Sequence, residues 1–141
     1  MTKKEQLPSS AQIIIIGGGI IGCSIAYHLA KRGVRDVVLL ERKQLTCGTT
    51  WHAAGLVSML WPTPYLTELA KYCHELYASL EEETGQATGY RRIGSLSVAR
   101  TPERLEELRR TSSMASVFGV ESEMIGNEQL TTMYPGLNTD G

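Results

Sequence analysis

The chain has 141 residues, 42% hydrophobic and 21% charged, with a net charge of −1. That composition suits one modest globular domain and excludes a disordered or collagen-like polypeptide. Lysine and arginine are dispersed, which excludes a basic footprint for nucleic acid or an anionic membrane surface, and the run Ile13 to Ile16 is far short of the ~20 apolar residues of a membrane span.

The opening MTKKEQLPSSAQ is polar, with neither the apolar core of a signal peptide nor the arginine-rich character of a transit peptide. Residues 1–11 therefore read as a tail, the domain as 12–141, and the cytoplasm as the simplest location. QIIIIGGG is a short β-branched run stopped by glycines, the pattern of a parallel strand covered on both faces. A helix over 20–32 follows, with Ile21, Ile25 and Leu29 beside the small Gly22 and Ala26 on the face expected to meet a sheet, and Gly33 as its stop. DVVLLE (36–41) is the second buried strand, so the order predicts a right-handed βαβ unit.

Residues 42–63 lack a period and read as a loop. From Pro64 to Thr84 the apolar residues Leu66, Leu69, Ala70, Cys73, Leu76, Tyr77 and Leu80 keep helical spacing up to Gly85, with Glu81 to Glu83 as a solvated face. RIGSLSVAR (92–100) reads as a strand bent at Gly94. Thr101 and Pro102 open a helix that Gly119 closes, and a short strand over 121–125 and a helix over 127–134 complete the chain. Three cysteines, Cys23, Cys47 and Cys73, form no C-x-x-C pair and no even set. They read as reduced packing residues and imply no metal site.

Gly17-Gly18-Gly19-Ile20-Ile21-Gly22 matches G-x-G-x-x-G, a weak pattern alone but a stronger one between a strand and a helix. Glu41 ends the next strand at the ~20-residue spacing of dinucleotide-binding units. Gly17 permits the tight turn, Gly19 lets backbone approach a pyrophosphate, and Gly22 lets the helix lie against the strand. The helix start offers unpaired N–H groups to an anion. Glu41 can accept both ribose hydroxyls of an adenosine and would repel a 2′-phosphate, which favours FAD or NAD over NADP, with Arg42 beside it as the one residue of the opposite tendency. The fold class is thus α/β, a Rossmann-type βαβ unit with following helices and short strands.

The stretch IIIIGGGIIGCSIAYHLAKRGVRDVVLLERKQLTCGTTWHAAGL resembles the amino-terminal segment of the glycine oxidase and D-amino acid oxidase superfamily of flavoproteins. It is more similar to the sarcosine and dimethylglycine dehydrogenase group, and LEEETGQATGYRRIGSLSVARTPERLEELRR continues the likeness, which runs from Leu7 onward. Its most specific element is Gly-Thr-Thr-Trp-His-Ala-Ala-Gly, residues 48–55. The resemblance implies FAD as cofactor, joined covalently through its 8α-methyl carbon to His52, a neutral imidazole being a competent nucleophile near neutral pH. It also implies FAD contacts at Ile20, Ile21, Glu41, Arg42, Gly48, Thr49, Thr50, Trp51, Ala53, Ala54, Gly55 and Leu56, beside the three glycines. His28 and His74 fall inside helical patterns and read as packing or surface residues.

The implied activity is oxidation of the carbon–nitrogen bond of an N-methylated amino acid such as sarcosine or dimethylglycine. Electron acceptor and catalytic residues are unassigned, and a folate-binding region would lie beyond this chain. At 141 residues the chain reads as an amino-terminal part of an FAD-dependent oxidoreductase domain, in the mitochondrial matrix if the source is eukaryotic. A second reading is a nonenzymatic regulatory relative resembling that of pyruvate dehydrogenase phosphatase, against which the Trp51-His52 pair counts. A third, a plain NAD-binding module, is disfavoured by the loop and long helix that follow the second strand.

Overall fold

A computed structural model describes residues 8–139, so most of the expected tail over 1–11 lies outside the described residues. The chain divides into two compact units, 1–56 and 57–141.

In the first unit, strand β1 (Ile13–Ile16), helix α1 (Ile20–Lys31) and strand β2 (Val37–Leu40) follow one another as the sequence predicts. β-Branched side chains suit extended backbone, and the strands pair in parallel, Ile13 opposite Val37 and Ile16 opposite Leu40. Backbone bonds continue the ladder at both ends: Ile13 N–H donates to the Asp36 carbonyl (3.2 Å) and Gly17 N–H to the Leu40 carbonyl (2.8 Å). Gly33, at φ +82°, closes α1 in a conformation that side chains disfavour.

Two expectations for this unit are corrected. The strands are covered on one face only: Ile15 is buried, whereas Ile14 is 57% and Ile16 87% exposed. Side chains alternate across a strand, and α1 packs on β1 and β2 from one side. The buried face of α1 also differs, because Gly22 is its buried residue while Ile21 is 74% exposed. A Cβ on Gly22 would lie 1.9 Å from the Gly17 carbonyl oxygen and 3.4 Å from Ile15 Cγ2. That close approach sets the rotation of the helix about its axis, bringing Gly22, Ala26 and Leu29 inward and leaving Ile21 and Ile25 outward.

The second unit holds three helices, α2 (Pro64–Thr84), α3 (Pro102–Val117) and α4 (Asn127–Met133). Thr63 and Thr101 cap α2 and α3, their hydroxyls accepting from Leu66 N–H (3.3 Å) and Arg104 N–H (3.2 Å), with proline at the following position in each. Gly85 and Gly119 follow the helix ends at φ +70° and +66°. Inside, Thr67 is fully buried and its hydroxyl exchanges hydrogen bonds with the Trp61 backbone, N–H and carbonyl both at 3.1 Å.

The strands expected over 92–100 and 121–125 do not form, since β1 and β2 are the only strands among the described residues. A strand needs a partner for its backbone groups. Here Gly94 turns the chain at φ +76° and Ile93 is 83% exposed.

Gly22→Ala tests the close approach. Overpacking costs about 1–3 kcal/mol and more where backbone must move, so the full chain carrying it should melt well below the parent. Gly48→Ala, whose Cβ would meet nothing within 4 Å at φ −91°, should leave the melting curve in place.

Candidate functional site

The close approach of Gly22 brings the start of α1 over the end of β1, and the glycine turn fills the gap. Gly17 takes φ +105°, outside the range of most side chains, and Gly19 is the N-cap of α1. The first-turn amides of Ile21 and Gly22 have no helical carbonyl to reach. The side chains of Ile20 and Ile21 are exposed.

Glu41, one residue past β2, turns its carboxylate onto this turn. Oε2 accepts from Gly18 N–H at 2.8 Å and Oε1 from Lys43 N–H at 3.0 Å. The Gly18 amide, then the Lys43 amide, hold the Glu41 carboxyl below the usual carboxylate range, and the charge of Arg42 adds in the same direction. An ionised carboxylate offers about four lone-pair sites, so these two bonds leave acceptor capacity for a diol. The Arg42 side chain is exposed.

Past Glu41 the loop is stitched back to the turn by Leu45 and Thr46, to which the sequence alone draws no attention. Thr46 N–H donates to the Gly18 carbonyl at 2.8 Å, and the Cys23 thiol donates to the same oxygen at 3.6 Å. Thr46 stands at φ +64°, a left-handed conformation that is an outlier for a β-branched residue and costs roughly 1–2 kcal/mol. No sequence signal marks it, since threonine is among the last residues expected there. Leu45 closes over Gly18, where an added Cβ would lie 2.5 Å from Leu45 Cδ2.

Residues Thr49–His52 form one turn of 3-10 helix inside the expected loop. Trp51 N–H donates to the Gly48 carbonyl (3.2 Å) and Ala53 N–H to the Thr50 carbonyl (3.3 Å). The Thr50 hydroxyl accepts from Ile20 N–H at 3.0 Å. His52 Nδ1 lies 3.0 Å from the Gly48 carbonyl oxygen; since a carbonyl only accepts, Nδ1 is the donor, and in the neutral ring the lone pair is then on Nε2. His52 and Trp51 are exposed, as are Gly48, Thr49, Ala53, Ala54 and Leu56, and Gly55 turns the chain at φ +74°. Ala53 to Leu56 make no hydrogen bond to the glycine turn among the described residues. The structure therefore gathers Gly17, Gly19, Ile20, Gly22, Glu41 and Thr50 around one helix end, with His52 two residues further along the same turn.

This arrangement can hold the diphosphate and ribose of a dinucleotide, with free amides, no side chain at Gly19 and a fixed carboxylate. An FAD fits it, its ribose at Glu41 and an exposed imidazole lone pair following in the chain. Among the described residues no cluster of three metal-ligating side chains occurs, and no helix is long and apolar enough to cross a membrane.

Fold and site define a dinucleotide-binding unit. Residues 12–141 match the family described as FAD dependent oxidoreductase, and the chain belongs to that family. It is 44% identical over 135 residues to human mitochondrial sarcosine dehydrogenase, covering 95% of this chain and 15% of that protein. It is 45% identical over 130 residues to rat mitochondrial dimethylglycine dehydrogenase (92% and 15%) and 45% over 132 residues to the mouse regulatory subunit of mitochondrial pyruvate dehydrogenase phosphatase (94% and 15%). The chain thus spans about 15% of the length of these relatives. Among solved structures, glycine oxidase from Bacillus cereus superposes with a TM-score of 0.73 at 28% identity, covering 89% of this chain and 36% of that one.

Glu41→Gln probes the carboxylate. A carboxyl held low in the folded state contributes stability above the ordinary carboxylate range, and that contribution is lost as pH falls through the folded value. Between pH 7 and the acid side of ~4, the urea midpoint of the parent should fall further than that of the variant. Parallel curves would show that the Gly18 and Lys43 bonds do not hold the carboxylate.

Proposed function

We propose that the protein carrying this chain is an FAD-dependent oxidoreductase that oxidises the carbon–nitrogen bond of an N-methylated amino acid such as sarcosine or dimethylglycine. The flavin is tethered through His52. The observation that carries the tether is the state of the imidazole, whose Nδ1–H is committed to the Gly48 carbonyl while Nε2 presents a lone pair on an exposed turn.

This chain's part is binding and placement. The first-turn amides of α1 take the diphosphate, Glu41 takes the adenosine ribose, and His52 fixes the flavin end. Bound FAD supplies the hydride acceptor for substrate oxidation. His52 Nε2 would be the nitrogen that bonds the 8α carbon of a bound flavin, a two-electron oxidation for which dioxygen would serve as acceptor. The chain spans about 15% of the length of its dehydrogenase relatives, and no residue within 1–141 is assigned to the substrate carboxylate or amine or to a folate that takes up the one-carbon unit. For a eukaryotic source this reading implies the mitochondrial matrix, in keeping with the mitochondrial sarcosine and dimethylglycine dehydrogenases of human and rat.

Overall identity does not separate this reading from a regulatory role, because the mouse regulatory subunit is as similar as the dehydrogenases. The His52 turn favours the enzyme, since a purely regulatory surface has no need of an imidazole held with one free nitrogen.

The full-length protein, precipitated in acid, should keep yellow fluorescence on the polypeptide with a mass raised by one FAD, and His52→Ala should release it. A wild type that releases all its flavin would contradict the tether.

A further inference from the structure

We propose that Thr50 is a positioning residue for His52, its hydroxyl pinning the 49–52 turn to the first amide of α1 so that Nε2 is presented at one fixed place. The inference rests on the tether described above and adds what makes it productive.

Thr50 is the single residue in 42–58 that is not exposed. Its hydroxyl accepts from the Ile20 amide, thirty positions away, at 3.0 Å, and an added Cβ on Gly19 would lie 3.1 Å from the same oxygen. Downstream of the Thr46 bond to Gly18, no other hydrogen bond among the described residues joins the loop to the βαβ core. From Thr50 to His52 the geometry is closed, with Trp51 N–H and His52 Nδ1–H both on the Gly48 carbonyl and Ala53 N–H on the Thr50 carbonyl. Threonine suits this part because its branched Cβ restricts χ1, so the oxygen is aimed before any ligand arrives. A hydroxyl that accepts from Ile20 also keeps its own hydrogen to donate. The sequence reading treats Thr50 as a direct cofactor contact, whereas the bond to Ile20 makes its first task the placement of the turn.

The test uses apoprotein of the full-length chain with Thr50→Val, which removes the acceptor at constant size, and Thr50→Ser, which keeps it. Covalent incorporation is timed at saturating FAD, so weaker binding does not enter the rate. Reversible FAD affinity is measured separately in a His52→Ala background. A misplaced reacting group costs on the order of 100-fold, so Thr50→Val should incorporate flavin roughly 10- to 100-fold more slowly, with Thr50→Ser near the parent rate. Thr50→Val at the parent rate, or Thr50→Ser as slow as Thr50→Val, would overturn the proposal. Hydrogen exchange at the Ile20 amide reads the anchor independently of the tether. If the parent itself carries no acid-stable flavin, the tether is wrong, and exchange then decides for the anchor alone: faster exchange in Thr50→Val than in Thr50→Ser supports it, and equal exchange overturns it.

Discussion

The near-contact between Gly22 and the carbonyl of Gly17 is the constraint from which the rest of the site follows. With 1.9 Å between that oxygen and the place a Cβ would occupy, only a glycine lets α1 start directly above the end of β1. Once the helix starts there, the Gly18 amide faces Glu41 and the Ile20 amide faces Thr50. Those two bonds draw a segment that is mostly exposed, with no regular structure between β2 and the 3-10 turn, onto a defined edge of the βαβ unit.

The electrostatics of that edge are arranged in two layers. The start of α1 leaves the Ile21 and Gly22 amides without a helical carbonyl, which favours an anion. Glu41 is a carboxylate placed within the same field, and its ionised form is stabilised chiefly by two backbone amides, with the charge of Arg42 adding less. The left-handed Thr46 is the cost of this closure, because the loop must reverse sharply to return its amide to the Gly18 carbonyl.

Much of this was legible in the sequence, for local reasons. Three glycines between a β-branched run and a helical pattern, with a glutamate ending the next strand, are fixed by backbone sterics and diphosphate chemistry. A threonine-proline start located α3, and glycine stops located the ends of α2 and α3, because capping acts within one turn. What could not be read depends on partners distant in the chain. Strands at 92–100 and 121–125 have suitable residues but no ladder to join. The face of α1 followed the glycine contact, not its isoleucines. Thr46 carries no signature of its left-handed turn, and Thr50 looks like any ligand-binding hydroxyl until the Ile20 amide is seen beneath it. Sequence similarity extends the reading to an oxidoreductase family, yet the same similarity reaches a regulatory subunit. The chemistry of one turn therefore weighs more than the identity of the whole chain.

The proposed function depends on this edge holding an FAD and on His52 receiving it. The most direct test is to digest the purified full-length protein with a protease and locate the flavin by tandem mass spectrometry. The account predicts the flavin on the peptide containing Thr49-Thr50-Trp51-His52, with fragment ions placing it on the imidazole. Flavin recovered free, or attached to any other residue, would contradict it.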